Sequence, residues 1–254
     1  MKKYSIIIVL LFAASVLYGQ GEIDDQPTIA LRNERTFAFI LSSNSFGFNF
    51  SYAQRRDGYR KRLYSVSAFN LKSDKEIKVV NQQFSSQNRF VYGKANFVLN
   101  LRGGFGMQKE VFSKRDKGSI NIRYFYTFGP SLAVLKPIYY EVAYIQTPHI
   151  TIFKDEKFDP DNPHHQQYSI AGRSPFVKGM NELNISPGAN LKFGFEFEYS
   201  KQDERIRSLE AGVTADVFLL PIQIMATQDP QYLFYGFFIS YRFGKVLKAK
   251  TLRG

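Results

Sequence analysis

Histidine and carboxylate side chains offer the first chemistry to consider, because together they bind metal ions and transfer protons. The sequence has three histidines, His149, His164 and His165, and all lie between residues 136 and 186. Four carboxylates precede the adjacent pair in the segment FKDEKFDPDNPHHQQ, residues 153–167: Asp155, Glu156, Asp159 and Asp161. Adjacent side chains diverge in most backbones, and this spacing matches no established metal-ligand motif. We therefore predict a solvated surface loop with no metal site and no cofactor.

Nucleophilic catalysis would require a histidine with defined partners. His149 lies in the segment QTPHITIF between Thr147 and Thr151, but no set of residues with catalytic roles accompanies it. The sequence also lacks the GxSxG, HExxH, P-loop and dinucleotide-binding motifs. It contains no cysteine, which excludes thiol catalysis and cysteine-ligated metals. We predict no catalytic residues and no enzymatic activity, with a hydrolase built around His149 as an alternative.

The elements that would position any functional side chain show a period of two residues. In LFYGFFISYRFGK, residues 233–245, the odd positions are apolar from Leu233 to Phe243, whereas the even positions include Gly236, Ser240 and Arg242. Successive side chains of a β-strand point to opposite faces. The segment therefore predicts a strand with one apolar face and one small or polar face.

The same alternation recurs along the chain. It predicts seven further strands, at residues 34–42, 45–52, 62–71, 94–106, 120–134, 189–199 and 209–219, although the phase of 62–71 is unclear. Eight such strands predict an all-β fold, an eight-stranded antiparallel up-and-down transmembrane β-barrel with long extracellular loops, in which the outward face alone contacts lipid. A soluble β-sandwich also alternates. Polar faces rich in Gly, Ser and Asn, and apolar faces that end in Tyr or Phe, favour the barrel.

The charged, apolar and small residues at the start of the chain have the layout of a cleaved secretory signal peptide. The predicted organisation is a signal peptide at 1–20, a periplasmic segment at 21–33, the barrel at 34–244 and a basic periplasmic tail at 245–254. This organisation predicts export to the outer membrane.

Connection lengths predict which end of the barrel faces outward, because periplasmic turns are short and extracellular loops are long. The short charged connections are 55–61, 113–118 and 201–205, and we place them in the periplasm. The remaining connections, 72–93, 136–186 and 222–231, are then extracellular. Composition leaves open whether the 136–186 loop is an ordered recognition element or a flexible cover.

The interior of an eight-stranded barrel is wide enough only to be filled by side chains or to hold one small ligand. The charged residues predicted to face inward are Lys94, Arg102, Arg123, Lys192, Glu196, Glu198, Glu210, Asp216 and Arg242. An unpaired charge in this space would carry a desolvation penalty of several kcal/mol. We therefore predict an interior ion-pair network and no open pore, with a small transport or ligand-binding barrel as the alternative.

The formal net charge is +12, and the excess positive charge is concentrated at the predicted periplasmic end. The cations of this predicted basic rim are Arg55, Arg56, Arg60, Lys61, Arg62, Lys114, Arg115, Lys117, Lys245, Lys248 and Lys250. They would attract anionic lipid headgroups, dock an acidic periplasmic or outer-membrane protein, or do both. Outer-membrane lipid is a predicted partner, and nucleic acid is excluded because an exported barrel does not meet it.

Several segments carry a resemblance: the signal peptide that ends in YGQ, the strand LNLRGGFGMQKEVF, the run FDPDNPHHQQYSIAGRSPFVKGMNELNISPGANLKFGFEFEY, and the final FFISYRFGK. They resemble small outer-membrane barrels of the Bacteroidota. In size and layout the chain is similar to the PorT and PorG barrels of the type IX secretion apparatus. The resemblance implies an accessory, non-catalytic subunit of an outer-membrane assembly or secretion machine. One departure is that ten residues, rich in basic side chains, follow the terminal strand.

Overall fold

The computed structural model describes residues 32–84, 89–113, 120–147, 150–200 and 204–247. Several predictions lie outside these residues. They are the signal peptide, most of the segment 21–33, His149, and the basic residues Lys114, Arg115, Lys117, Lys248 and Lys250.

The described ranges contain thirteen β-strands: β1 (Glu34–Ser42), β2 (Ser45–Arg55), β3 (Arg60–Leu71), β4 (Lys78–Val79), β5 (Phe90–Val91), β6 (Asn96–Phe112), β7 (Asn121–Pro137), β8 (Tyr139–Thr147), β9 (Ile150–Lys157), β10 (Ile170–Arg173), β11 (Asn184–Glu198), β12 (Arg205–Ile222) and β13 (Gln231–Val246). Two short 3₁₀ helices cover Pro163–His165 and Met180–Glu182. Among the described residues, no helix has the length and apolar content needed to cross a membrane.

The eight long strands of the described chain close into a barrel. Their order around it is β1-β13-β12-β11-β7-β6-β3-β2, and each pair of neighbours is antiparallel. The barrel closes between β1 and β13, from Glu34 opposite Val246 to Ser42 opposite Phe238. The predicted fold, an eight-stranded antiparallel β-barrel, is confirmed.

Side chains of the barrel strands alternate between a filled interior and an exposed exterior. In β13, Phe237 is 77% exposed and the next residue, Phe238, only 2%. The inward face is therefore not uniformly polar: Phe125 of β7 and Phe238 both point inward and lie with ring centroids 6.5 Å apart. Gly194 leaves them room, because a Cβ there would lie 3.1 and 3.2 Å from the two rings. Inward glycines and inward aromatic rings thus complement each other across the barrel.

Several strands are longer than the sequence alternation predicted. β6 continues to Phe112, β7 continues to Pro137, and β11 starts at Asn184. The alternation persists at the start of β11, where Ile185 is exposed and Ser186 is buried. The segment predicted as a loop, 136–186, therefore begins and ends within barrel strands.

The described residues of the connection between β7 and β11 form regular secondary structure. They include a three-stranded antiparallel sheet in the order β10-β8-β9. A buried cluster joins it to the β4–β5 pair: Phe90 of β5 packs with Ile138, Tyr140, Val142 and Ile170, and Val79 of β4 packs against this cluster. The described residues thus form an ordered element and not a flexible cover, and a role in recognition stays a prediction. We call this element the outer sheet.

Candidate functional site

The barrel has two ends, which we name by the strands that reach them. The inner end lies at Glu34 and Val246, and the outer end lies at the β1–β2 turn and the outer sheet. The charges predicted from the sequence fall mainly in the inner half of the interior.

The central carboxylate of the interior is Glu196 on β11, which is fully buried. Ser208 donates a hydrogen bond to its Oε1 at 2.6 Å, and Gln108 donates to its Oε2. Two guanidinium groups approach the same carboxylate, with Arg242 Nη1 at 3.5 Å and Arg123 Nη1 at 3.9 Å. One carboxylate therefore joins side chains from four strands.

A second carboxylate, Glu210 on β12, extends this cluster. It pairs with Arg242 through Oε1 and with Lys192 Nζ through Oε2 at 3.1 Å. Lys192 also lies over two inward aromatic rings, 4.4 Å from the centroid of Phe238 and 4.9 Å from that of Phe125. The ion pairs and the inward aromatic rings form a continuous packed layer.

Arg102 and Asp216 form a separate pair nearer the outer end. Arg102 Nη2 lies 2.6 Å from Asp216 Oδ2, and Asn100 donates a hydrogen bond to Oδ1 at 3.0 Å. The Arg102 guanidinium also stacks 4.0 Å from the ring centroid of Phe69. This pair lies at the boundary between the charged and apolar parts of the interior.

Near the inner end, Arg123 Nη2 lies 2.6 Å from Glu198 Oε2, and Arg123 Nε lies 3.9 Å from Glu110 Oε2. Lys61, predicted on the periplasmic rim, instead points into the barrel with 4% exposure and pairs with Glu34. The reason is that β3 starts at Arg60 and its odd-numbered side chains face inward, a phase that the sequence left unclear. The assignment of Lys61 to the rim is corrected.

Lys94, predicted in the interior network, lies outside it. β6 starts at Asn96, so Lys94 precedes the barrel strand and pairs with Glu76 of the β3–β4 connection at 2.7 Å. Burial lowers the pKa of Lys94, and the bond to Glu76 opposes that shift. This assignment is also corrected.

Within the described residues, the barrel interior holds five cations, Lys61, Arg102, Arg123, Lys192 and Arg242, and six carboxylates, Glu34, Glu110, Glu196, Glu198, Glu210 and Asp216. The sequence analysis missed Glu34, Glu110 and Lys61. Glu34 has the same phase as the inward Ala38 and Ile40 of β1. Glu110 was missed because the predicted strand ended at residue 106.

The space left between these side chains is small. The interior cavity beside Arg102 and Lys192 has a volume of about 20 Å³, enough for a single water molecule. Nearby, the Asn190 amide nitrogen donates to the carbonyl oxygens of Gly103, Gly129 and Pro130 at 2.8–3.0 Å. At this level the barrel is a packed core.

The outer end of the interior is closed by apolar side chains. This cluster, the outer plug, comprises Leu71, Val98, Ala133, Leu135, Phe218, Ile222, Ile224, Met225 and Phe234. It draws on five barrel strands and on the β12–β13 connection. Charged side chains therefore fill one half of the barrel and apolar side chains close the other.

The exterior carries a belt of exposed aromatic and aliphatic side chains on every barrel strand. The belt includes Phe48, Val66, Phe128, Leu191, Leu209, Phe237 and Ile239. Monomeric soluble proteins rarely expose contiguous apolar patches larger than a few hundred Å². An apolar band around a closed barrel is the surface that contacts hydrocarbon in membrane barrels.

Basic residues surround the inner end of this belt. Arg35, Lys245 and Arg205 are neighbours across β1, β13 and β12, and Arg60 lies opposite Lys109. All five side chains are exposed, and within the described ranges none forms a salt bridge. Like charges directly opposite each other on a sheet are destabilising without a counter-ion. We call Arg35, Lys109, Arg205 and Lys245 the cationic row, and we assign Arg60, whose backbone closes the β2–β3 turn, to that turn.

The β2–β3 turn adds cations beyond the strand ends. Arg56 and Arg60 are exposed, whereas Arg55 folds back on the turn and donates to the carbonyl oxygen of Gly58 at 2.5 Å. Asp57 accepts the backbone N–H of Arg60 at 2.7 Å, so the carboxylate stabilises the turn. Of the other predicted rim residues, Arg62 lies over the ring of Phe105, 5.7 Å from its centroid, and Lys245 belongs to the cationic row.

The histidine pair lies in the 3₁₀ helix Pro163–His165, between β9 and β10 of the outer sheet, and its side chains diverge. His165 Nε2 contacts Glu156 Oε2 at 3.0 Å, and its Nδ1 accepts the backbone N–H of Asp159 at 2.8 Å. His164 instead packs on the Tyr144 ring, with centroids 4.7 Å apart. Within the described ranges, no three His, Asp or Glu side chains are arranged to hold a metal ion.

Hydrogen bonds lower the pKa values of two carboxylates near the histidine pair. Tyr144 also donates to Glu156 Oε2, at 2.8 Å. Partial burial favours the neutral acid, but the bonds from His165 and Tyr144 prevail and lower the pKa of Glu156. On the same strand, hydrogen bonds from Lys178 and Ser174 lower the pKa of Asp155. The cluster is an internal clasp of the outer sheet.

Tyr140 attaches the outer sheet to the preceding connection. Its hydroxyl donates to the carbonyl oxygens of Val91 at 2.7 Å and Lys94 at 2.9 Å, and burial raises the pKa of Tyr140. Asn81 adds a bond to the carbonyl of Ile170 at 2.9 Å. The described residues of the 72–93 connection and the outer sheet are therefore joined by hydrogen bonds into one surface.

Comparison with known proteins gives similarities among solved structures. Neisserial surface protein A (NspA) shares 9% identity, covering 84% of this chain and 96% of that chain, with a TM-score of 0.38. Ail, the attachment invasion locus protein of Yersinia pestis, in complex with the heparin analogue sucrose octasulfate, shares 6% identity over 85% and 99% of the two chains, with a TM-score of 0.42. No protein-family model and no curated protein matches the chain.

Proposed function

We propose that this protein is a non-enzymatic outer-membrane barrel that serves as an accessory subunit of an outer-membrane assembly, of the kind that type IX secretion uses. In this proposal the inner end docks an acidic partner in the periplasm, and the outer sheet is displayed outside the cell. The observation that carries the proposal is the set of exposed arginines at the inner end, which have no carboxylate partner among the described residues.

The apolar belt supports the placement in a membrane. Its aromatic and aliphatic side chains would be contacted by hydrocarbon, and the cationic row would lie at the level of anionic headgroups. The residues of this row on β1, β13 and β12 point outward from the barrel wall. Lipid headgroups are therefore the counter-ions proposed for Arg35, Lys245 and Arg205.

A protein partner is proposed for the turn. Arg56 lies past the end of β2 and Arg60 is the first residue of β3, so both belong to the turn, where a bound protein would reach them more readily than lipid. Acidic groups on such a partner would speed association and select the correct partner through complementary charge. This division assigns different partners to the outward row and to the turn.

The filled interior supports a scaffold role in preference to transport. A cavity of about 20 Å³ between the ion pairs holds at most about one water molecule. Selective conduction would require a wider path or a lining of one charge sign. We expect the purified protein to give no single-channel steps in planar bilayers, and sustained conductance would favour the transport alternative.

Affinity purification from native membranes in mild detergent tests the docking proposal. We expect an Arg56→Glu/Arg60→Glu variant to lose a partner that the wild type retains. A matched Lys78→Glu/Lys154→Glu variant, which reverses two exposed charges at the outer end, should retain it. Retention of all partners by the first variant, or equal loss from both variants, would contradict the proposal.

The proposal that lipid headgroups are the counter-ions of the cationic row can be tested separately. Native mass spectrometry of the purified barrel should show bound phosphatidylglycerol in the wild type and less of it in an Arg35→Gln/Arg205→Gln variant. The Arg56→Glu/Arg60→Glu variant should keep most of this lipid, because the turn lies beyond the belt. Equal lipid loss in the two variants would contradict the assignment of lipid to the cationic row and of a protein partner to the turn.

A further inference from the structure

At the outer end, the barrel wall extends least where β1 and β2 meet. Only Ser43 and Asn44 connect these strands, and β1 pairs with β13 no further than Ser42 opposite Phe238. β13, however, starts at Gln231. Among the described residues, 231–237 therefore pair with β12 on one side and with no strand on the other.

The β1–β2 turn closes part of this gap with small polar groups. Ser43 N and Ser42 Oγ donate to the Phe237 carbonyl oxygen at 3.0 and 2.9 Å, and Asn44 donates to that of Tyr235 at 3.2 Å. Gly236 allows the close approach, because a Cβ there would lie 2.3 Å from Ser43 Oγ. At this turn, polar groups of a tight hairpin, and not a paired strand, complete the barrel wall.

A cavity of about 490 Å³ lies against this gap. Its volume is within the roughly 300–1,000 Å³ range of small-molecule sites. The floor is apolar and formed by buried residues of the outer plug: Ile222, Ile224, Met225 and Phe234. The lining continues onto Leu233, Tyr235 and Phe237, which belong to the exposed apolar belt. The cavity is thus continuous with the surface proposed to contact lipid.

The polar part of the lining is at the outward side of the cavity. Lys72, Lys75, Asp74 and Asp229 belong to this part of the lining, so its formal charges balance. Lys72 Nζ also lies 4.7 Å from the ring centroid of Phe46, an outward residue of β2. A lysine that extends along an apolar surface and keeps its ammonium group at the edge is the arrangement found at membrane interfaces.

We propose that this cavity binds one acyl chain of a membrane lipid, which enters over the β1–β2 turn. The proposal rests on the membrane placement described above. Hydrocarbon matches the apolar floor, and the lipid's polar head would remain beside the lysines and aspartates. A peptide strand fits less well, because the carbonyl groups of Tyr235 and Phe237 already accept hydrogen bonds from the turn.

The absence of tryptophan from the sequence gives a clean test. Single Phe→Trp variants would be placed in vesicles that contain phospholipids with brominated acyl chains, which quench tryptophan on contact. Phe234→Trp reports on the cavity, Phe237→Trp on the lipid-facing belt and Phe125→Trp on the packed interior. We expect quenching of Phe234→Trp to be comparable with that of Phe237→Trp and several-fold greater than that of Phe125→Trp.

The three variants separate failure of this proposal from failure of the membrane placement. Strong quenching of Phe237→Trp with weak quenching of both Phe234→Trp and Phe125→Trp would overturn acyl-chain binding alone. Weak quenching of all three would overturn the membrane placement as well. If Phe234→Trp does not fold, Met225→Trp reports on the cavity floor with the same expectation and the same contradicting result.

Discussion

The two halves of the barrel interior are built from different chemistry. In the inner half, Glu196 and Glu210 tie together three cations that come from three strands. In the outer half, Leu71, Phe218 and their neighbours pack without charge. A buried ion pair depends on both partners, because removal of one leaves an uncompensated charge. An apolar cluster loses stability in proportion to the contacts removed.

This difference implies separate tasks. The charged half pins strands that are distant in sequence, as when Gln108 reaches Glu196. The apolar half seals the barrel below the outer sheet and forms the floor of the cavity. Substitutions in the two halves should therefore differ in how much they lower the free energy of unfolding. They should also differ in how far a second substitution restores it.

The largest effect is expected from Glu196→Ala. It would leave Arg123 and Arg242 without a shared carboxylate in the interior, and loss of one partner of a buried pair costs roughly 3–5 kcal/mol. Urea unfolding followed by circular dichroism would measure the loss. Glu196→Gln, which keeps the shape and one oxygen acceptor, should lose less. Equal stability of wild type and Glu196→Ala would show that the network contributes nothing.

A smaller loss is expected in the outer plug. Leu71→Ala removes a fully buried side chain and should cost about 3 kcal/mol through lost contacts and the cavity left behind. Leu183→Ala, at an exposed position in the connection before β11, is the matched control and should change stability by about 0.5 kcal/mol or less. Similar losses in the two variants would contradict a packed plug.

The boundary between the halves can be moved. Arg102→Leu alone would leave Asp216 buried without its cation, whereas Arg102→Leu/Asp216→Leu would extend the apolar plug inward. Replacement of both partners of a buried pair is often neutral. We therefore expect the free energy of unfolding of the double variant to lie within about 1 kcal/mol of the wild-type value. The same urea titration applies. A double variant less stable than the single one would show that the pair itself is required.

The smallest effect is expected in the outer sheet, where the ion pairs are partly exposed. Because the pKa values of Asp155 and Glu156 are lowered, their contribution to stability is present above the ordinary carboxylate range near pH 4 and is lost as the pH falls below it. Protection factors for hydrogen exchange in 150–173, which correct for the intrinsic pH dependence of exchange, should fall on acidification, and Asp155→Asn/Glu156→Gln should lower them already at neutral pH. Protection factors that do not change with pH would contradict a stabilising role of these two carboxylates.

Alternation of side chains predicted the barrel because it is a local property of each strand. The odd-numbered residues from Leu233 to Phe243 face outward as predicted, and so do Phe48 and Phe50. The prediction weakened where the local signal weakened. In residues 62–71, small and apolar side chains occupy both faces, so the inward direction of Lys61 was not recognisable.

The sequence by itself determined the number of barrel strands and most of the outward belt, since both follow from a repeat of two residues. Only the tertiary structure decided which charges meet, because Arg102 and Asp216 are brought together by the register of strands distant in sequence. It also decided that Lys94 lies outside the interior and that the β7–β11 connection is a sheet. These outcomes depend on strand ends and on closure of the barrel, which no local pattern encodes.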